Sequence, residues 1–233
     1  MTSHQEFFQR LVSDWNVAYA KLSKSPAMQR LEKGDLKLEH YKGYLQETYH
    51  HAGINPQIQA YCSMFLKGNP REVVAQFYKH ATSEIGHDLL ALNDLCALGG
   101  NREAVIHSKP LPQTLGLNAF VTHYIQFHNP IGYLGYLFHL EFMPTQKGPS
   151  YLHKLESMGI PKTALSFLEE HATVDVAHVK LMENYFKKLV DKEEIYQHVK
   201  YVMEATCELH GLMIAAAFEN GEKIYGSESK KAA

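Results

Sequence analysis

The chain has 233 residues, with 23 basic and 25 acidic side chains and a net charge of -2, too balanced and too unclustered for a nucleic-acid binder. No run of 18 or more apolar residues offers a membrane span, and the first residues, Met1 to Arg10, lack the apolar stretch of a signal peptide. Its three cysteines, Cys62, Cys96 and Cys207, are far apart and form no CxxC pair, so a reduced, cytoplasmic setting is expected.

Helical periodicity runs almost throughout, and strand-type alternation bounded by hairpin turns is absent. Phe7, Phe8, Leu11, Trp15, Tyr19 and Leu22 mark a first helix over about 3–23, and a short helix follows Pro26. A longer pattern from Leu36 to Phe65 is disturbed at Gly53-Ile54-Asn55-Pro56. Asn69-Pro70-Arg71-Glu72 reads as an N-cap, a proline in the first turn and an acidic residue beside it, opening a helix to Leu98 that Gly99-Gly100 stops.

Asn101 caps a short helix, and residues 107–113 form a loop. A long helix over about 114–143 is bent near Pro130 and ended by Pro144. Pro161 starts the next, toward Val190, and a last helix covers about 192–225. The expected organisation is one all-α domain over residues 1–225 with a flexible tail at 226–233.

Ionisable residues within apolar faces carry the functional signal. His171, Asp175 and His178 are spaced by four and then three, which places them on one narrow face of a helix. Glu84 and His87 form an E-x-x-H pair, and Glu47 and Glu141 stand on two other long helices. In chain order this is Glu, Glu-x-x-His, Glu, carboxylate-x-x-His, the ligand pattern of carboxylate-bridged di-iron and di-manganese bundles. Bridging carboxylates offset the repulsion between two close cations, and imidazoles supply neutral nitrogen donors. Oxygen and nitrogen donors without thiolate suit iron or manganese better than a structural zinc. The candidate ligands are Glu47, Glu84, His87, Glu141, His171, Asp175 and His178.

Other polar groups read differently. His50 and His51 lie one turn beyond Glu47 and suit a role in orienting a ligand, and His80 shares the Glu84/His87 face, from which it could approach the metals. His123, His128, His139, His153, His198 and His210 read as surface or ordinary hydrogen-bonded histidines. Tyr133, Tyr136, Phe138 and Phe142 read as lining.

About seven helices bearing Glu84-x-x-His87, Glu141 and His171-x-x-x-Asp175-x-x-His178 resemble the haem-oxygenase-like diiron oxidases and oxygenases, close to the TenA/thiaminase-II and PQQ-synthesis families. The resemblance extends over roughly 7–225, and its specific part is the ligand motifs. It implies a haem-oxygenase-like helical bundle that binds two Fe ions per chain, with Mn as the other option. It also implies O2 as co-substrate and oxidation of a small organic substrate, with an external electron donor as a partner. The residues around the ligand stripe suggest a partly apolar substrate, and a homodimer is expected on general frequency alone. Glu84, His87, Glu141 and His171 would form much of one iron's shell. Asp175 and His178 would serve the other, with Glu47 bridging or completing it. The only histidine in the first helix is His4, at its start, so haem is not expected. The alternative is a TenA-like, thiaminase-II-type hydrolase or thiamin-related binding protein, which would depend on a reactive cysteine.

Overall fold

The computed structural model describes residues 3–68 and 71–229, without the side chains of 3, 173–179 and 227–229. The described residues are all-helical, as expected, but divide into eleven α-helices rather than about seven. They are α1 (Ser3–Leu22), α2 (Pro26–Lys33), α3 (Leu38–Ala52), α4 (Asn55–Phe65), α5 (Arg71–Ser83), α6 (His87–Ala97), α7 (Arg102–Ile106), α8 (Pro112–Phe127), α9 (Tyr133–Ser157), α10 (Ser166–Leu189) and α11 (Glu193–Ser229).

The extra count comes from breaks within longer patterns. Gly53 and Ile54 separate α3 from α4, and a short 3-10 turn at Pro130–Gly132 separates α8 from α9. Gly86, at φ +99°, separates α5 from α6. A side chain would strain that left-handed backbone, so glycine is what permits the break. The proposed cap at Asn69 and Pro70 lies outside the described residues.

Three expected boundaries move. Pro144 does not stop its helix: α9 contains both Pro144 and Pro149 and runs to Ser157. Each proline costs about 3 kcal/mol in a free helix interior, but α9 is held along α10 and α11, and Gly148 lets it lie against Ala172. The next helix starts at Ser166 rather than Pro161, because a 3-10 turn over Lys162–Ala164 intervenes. At the far end α11 continues past the expected stop at Tyr225 to Ser229.

The core forms where α3, α9, α10 and α11 meet. Trp15, Leu45, Phe77, Tyr133, Tyr136, Phe138 and Tyr185 are almost wholly buried there. Two contacts bring α11 to backbone distance. A Cβ on Gly43 would fall 2.1 Å from the Ala217 carbonyl oxygen, and one on Gly221 would fall 2.1 Å from that of Glu39. No described helix is long and apolar enough to cross a membrane.

Candidate metal centre

The site begins at the end of α5. His80 and Glu84 are one helical turn apart, and His80 Nε2 faces Glu84 Oε1 at 3.6 Å and Glu141 Oε1 at 3.3 Å. Glu84 itself lies in the turn after α5, and the chain reverses through Gly86 before His87 opens α6. The Glu84/His87 pair is therefore not carried on one continuous helix. The turn still brings them together, with His87 Nδ1 at 3.1 Å from Glu84 Oε2.

Glu141 is supplied by α9 and His171 by α10. His171 Nδ1 donates to the Phe167 carbonyl at 2.7 Å. That bond fixes the tautomer and leaves Nε2 as a lone-pair donor, the arrangement a ligating histidine needs. The rings of His87 and His171 meet edge to face with centroids 4.9 Å apart.

Two sets of ligand atoms result, each within 4.8 Å of one another: Glu84, His87 and His171, and His80, Glu84 and Glu141. Glu84 belongs to both, as a carboxylate shared between two cations does. His80 is a member that the seven candidate ligands left out, although its i,i+4 spacing from Glu84 was a local signal. Gln59 Nε2 donates to His80 Nδ1 at 3.0 Å, which places a His80 proton on Nε2, the atom facing the carboxylates. A half-turn of that amide would offer Oε1, itself buried without a hydrogen bond, and would free Nε2 for a cation.

Electrostatics follow from these contacts. Burial works against a charge on His80, yet the facing Glu141 and Glu84 outweigh it and raise its pKa to about 9. The pKa of Glu84 is opposed by burial too, but His80 and His87 pull it down to about 2. Glu84 draws His87 upward. His171 moves the other way, because burial dominates there.

Not every expected ligand joins. Glu47 is fully buried, but its Oε2 accepts from the Leu111 backbone N–H at 2.9 Å and from Thr114 Oγ1 at 2.5 Å. It thus caps the start of α8, where unpaired N–H groups and the helix dipole favour a carboxylate, and it belongs to neither donor set. Asp94 does the same for α10, accepting from the backbone N–H groups of Ser166 and Phe167. Asp175 and His178 lie outside the described residues. Among the described residues the donors fall into two sets that share Glu84.

The donor set fits a redox-active first-row metal: imidazole and carboxylate, with no thiolate. The geometry fits as well. Although His87 Nδ1 and Glu84 Oε2 are close, they are not aligned as donor and acceptor, and His87 Nδ1 and Glu84 Oε1 are buried without a hydrogen bond. Such groups are costly unless something else satisfies them, and a cation among them would.

Glu84, Glu141 and His171 open onto a mostly apolar cavity of about 130 Å³ between α2, α3, α9, α10 and α11. That is several times the roughly 10–15 Å³ a single buried water occupies on the same measure. Among the described residues, no lysine or arginine lines it. Pro144 and Gly148 of α9 form part of its wall.

Comparison with known proteins agrees with this frame. A domain of unknown function with a heme oxygenase-like fold from Shewanella denitrificans is 25% identical, with a TM-score of 0.84, covering 97% of this chain and 96% of that one. A TenA homologue from P. horikoshii is 17% identical with a TM-score of 0.70, covering 91% and 98%. A TenA homologue from Pseudomonas syringae pv. tomato is 12% identical with a TM-score of 0.75, covering 91% and 93%. The last two show the fold alone. None of the curated proteins matches. Residues 42–211, which include every residue of both donor sets, match the pattern of one family, and the chain belongs to the iron-containing redox enzymes.

Proposed function

We propose that this chain is a non-haem dinuclear-iron oxidase or oxygenase that uses O2 to oxidise a small organic substrate held in the apolar cavity. The observation that carries the reading is the pair of donor sets sharing Glu84 at the cavity wall. His80, Glu84, His87, Glu141 and His171 would hold the metal, with Asp175 and His178 as further candidates on α10. When bound, iron would supply the one-electron chemistry that O2 requires and organic side chains lack.

The chain's own residues set the conditions. The Phe167 carbonyl orients His171, and the Gln59 amide controls which nitrogen of His80 carries the proton. The apolar walls keep bulk water from the substrate and strengthen every polar contact within. A hydrolytic, TenA-like reading needs an accessible thiolate. Cys62 and Cys207 are buried, and burial pushes both thiols up, Cys207 to about 12.

Anaerobic Fe(II) titration followed by O2 exposure tests the proposal, read by optical and Mössbauer spectroscopy. Two irons per chain and O2 consumption in proportion to bound iron are expected. Absence of iron uptake would overturn it, and cysteine-dependent hydrolysis would then take its place.

A further inference from the structure

Beside the metal donors, the same cavity meets a second polar feature whose proton positions follow from donor logic. An indole N–H can only donate, and Trp15 Nε1 donates to His139 Nδ1 at 3.1 Å. His139 therefore carries its proton on Nε2, which donates to His210 Nδ1 at 3.0 Å. His210 in turn carries its proton on Nε2, on a ring that lines the cavity.

Facing it from α3 is His51. Its Nδ1 donates to Asn118 Oδ1 at 2.8 Å, so Nε2 keeps a lone pair, and that atom is buried with no hydrogen-bond partner. The His51 and His210 rings are roughly parallel, with centroids 6.4 Å apart. Asn55 Oδ1, four residues beyond His51 and on the same wall, is also buried without a partner. Burial keeps His51 and His210 neutral at pH 7, holding His51 near 4 and His210 well below its ordinary value, and the Trp15 N–H keeps His139 Nδ1 unprotonated. This wall thus presents one donor and two acceptors, and none carries charge.

We infer that this end of the cavity binds an uncharged group that donates and accepts hydrogen bonds at once, a hydroxyl or a primary amide on an apolar body. The inference deepens the proposed oxidation by naming its substrate class, and it rests on that reading for calling the bound molecule a substrate. A hydroxyl gives its proton to His51 Nε2 and takes one from His210. An ether leaves the His51 lone pair unsatisfied, which a buried site penalises. At this wall a carboxylate sets negative charge against the His51 and Asn55 acceptors, and among the described lining residues no lysine or arginine offsets it.

Trp15 is the single tryptophan of the chain and heads this relay, so its fluorescence reports occupancy. Wild-type protein, with and without iron, is titrated with 1-octanol, with heptyl methyl ether (equal in heavy atoms, unable to donate) and with octanoate. The alcohol should bind about tenfold more tightly than either. In His51→Phe the alcohol and the ether should bind alike, and in His51→Gln, whose amide oxygen restores an acceptor, the preference should return. Melting curves identify any variant that fails to fold, and the wild-type comparison stands without them. Equal binding of alcohol and ether by the wild type, octanoate binding as tightly as octanol, or no binding of any probe overturns the inference. Iron uptake is read on the same samples. Uptake without alcohol preference sinks this inference alone, and preference without uptake sinks the proposed function alone.

Discussion

Two clusters of histidines lie beside one cavity and differ in what faces them. His80 and His87 meet the carboxylates of Glu84 and Glu141, and both are more basic than a free imidazole. His51, His139 and His210 meet an indole, an amide and one another, and all three are much less basic. Burial pushes every member of both clusters downward; the partner decides the outcome. One cluster is arranged to hold positive charge, a cation or a proton, and the other to exchange hydrogen bonds without charge.

The largest effect should come from emptying the charged side of this contrast. Glu84→Ala removes the carboxylate common to both donor sets, and competition with a chelator should show Fe(II) affinity reduced by more than about 100-fold, beyond what loss of an outer partner costs. The neutral cluster should show itself in acid. His51 and His210 titrate below 6.5 in the folded chain, so the unfolded chain takes up more protons and stability falls as pH drops from about 6.5 toward 4. Each such group contributes up to about 1.4 kcal/mol per pH unit in that window. Urea unfolding at pH 7.5 and 5.5 should show the loss, and His210→Phe should make the dependence shallower by about one proton. An unchanged slope would mean that His210 is not buried neutral.

The smallest effect separates a cap from a ligand. Glu47→Ala should cost about 1–2 kcal/mol through the freed α8 terminus while iron stoichiometry stays at the wild-type value. Loss of an iron in that variant would return Glu47 to the metal centre.

The same distinction explains how far the chain could be read before its structure. Helical class follows from periodicity, which is local, and Glu84, His87, Glu141 and His171 stood out as a chain-order ligand pattern, although Glu84 and His87 lie on either side of the Gly86 break and not on one helix. The role of Glu47 was hidden because its partners lie 64 and 67 residues away, and a buried glutamate looks alike in sequence whether it meets a metal or a helix end. Pro144 misled because the packing that carries a helix through a proline is tertiary. His139 and His210 read as ordinary because their relay joins residues 124 and 71 positions apart. His80 was the exception, since its i,i+4 spacing from Glu84 was there to be used.

Gly43 and Gly221 have a consequence at a distance. They sit on the two helices that carry His51 and His210, where α3 and α11 run in opposite directions with their backbones in contact. Two close approaches a helical turn apart, Gly43 to the Ala217 carbonyl and Gly221 to that of Glu39, set both the separation and the direction of the helices there, so this contact gauges the gap between the two imidazoles. The width available to a hydroxyl-sized group is thus decided more than two helical turns away, by two residues that have no side chain to touch it.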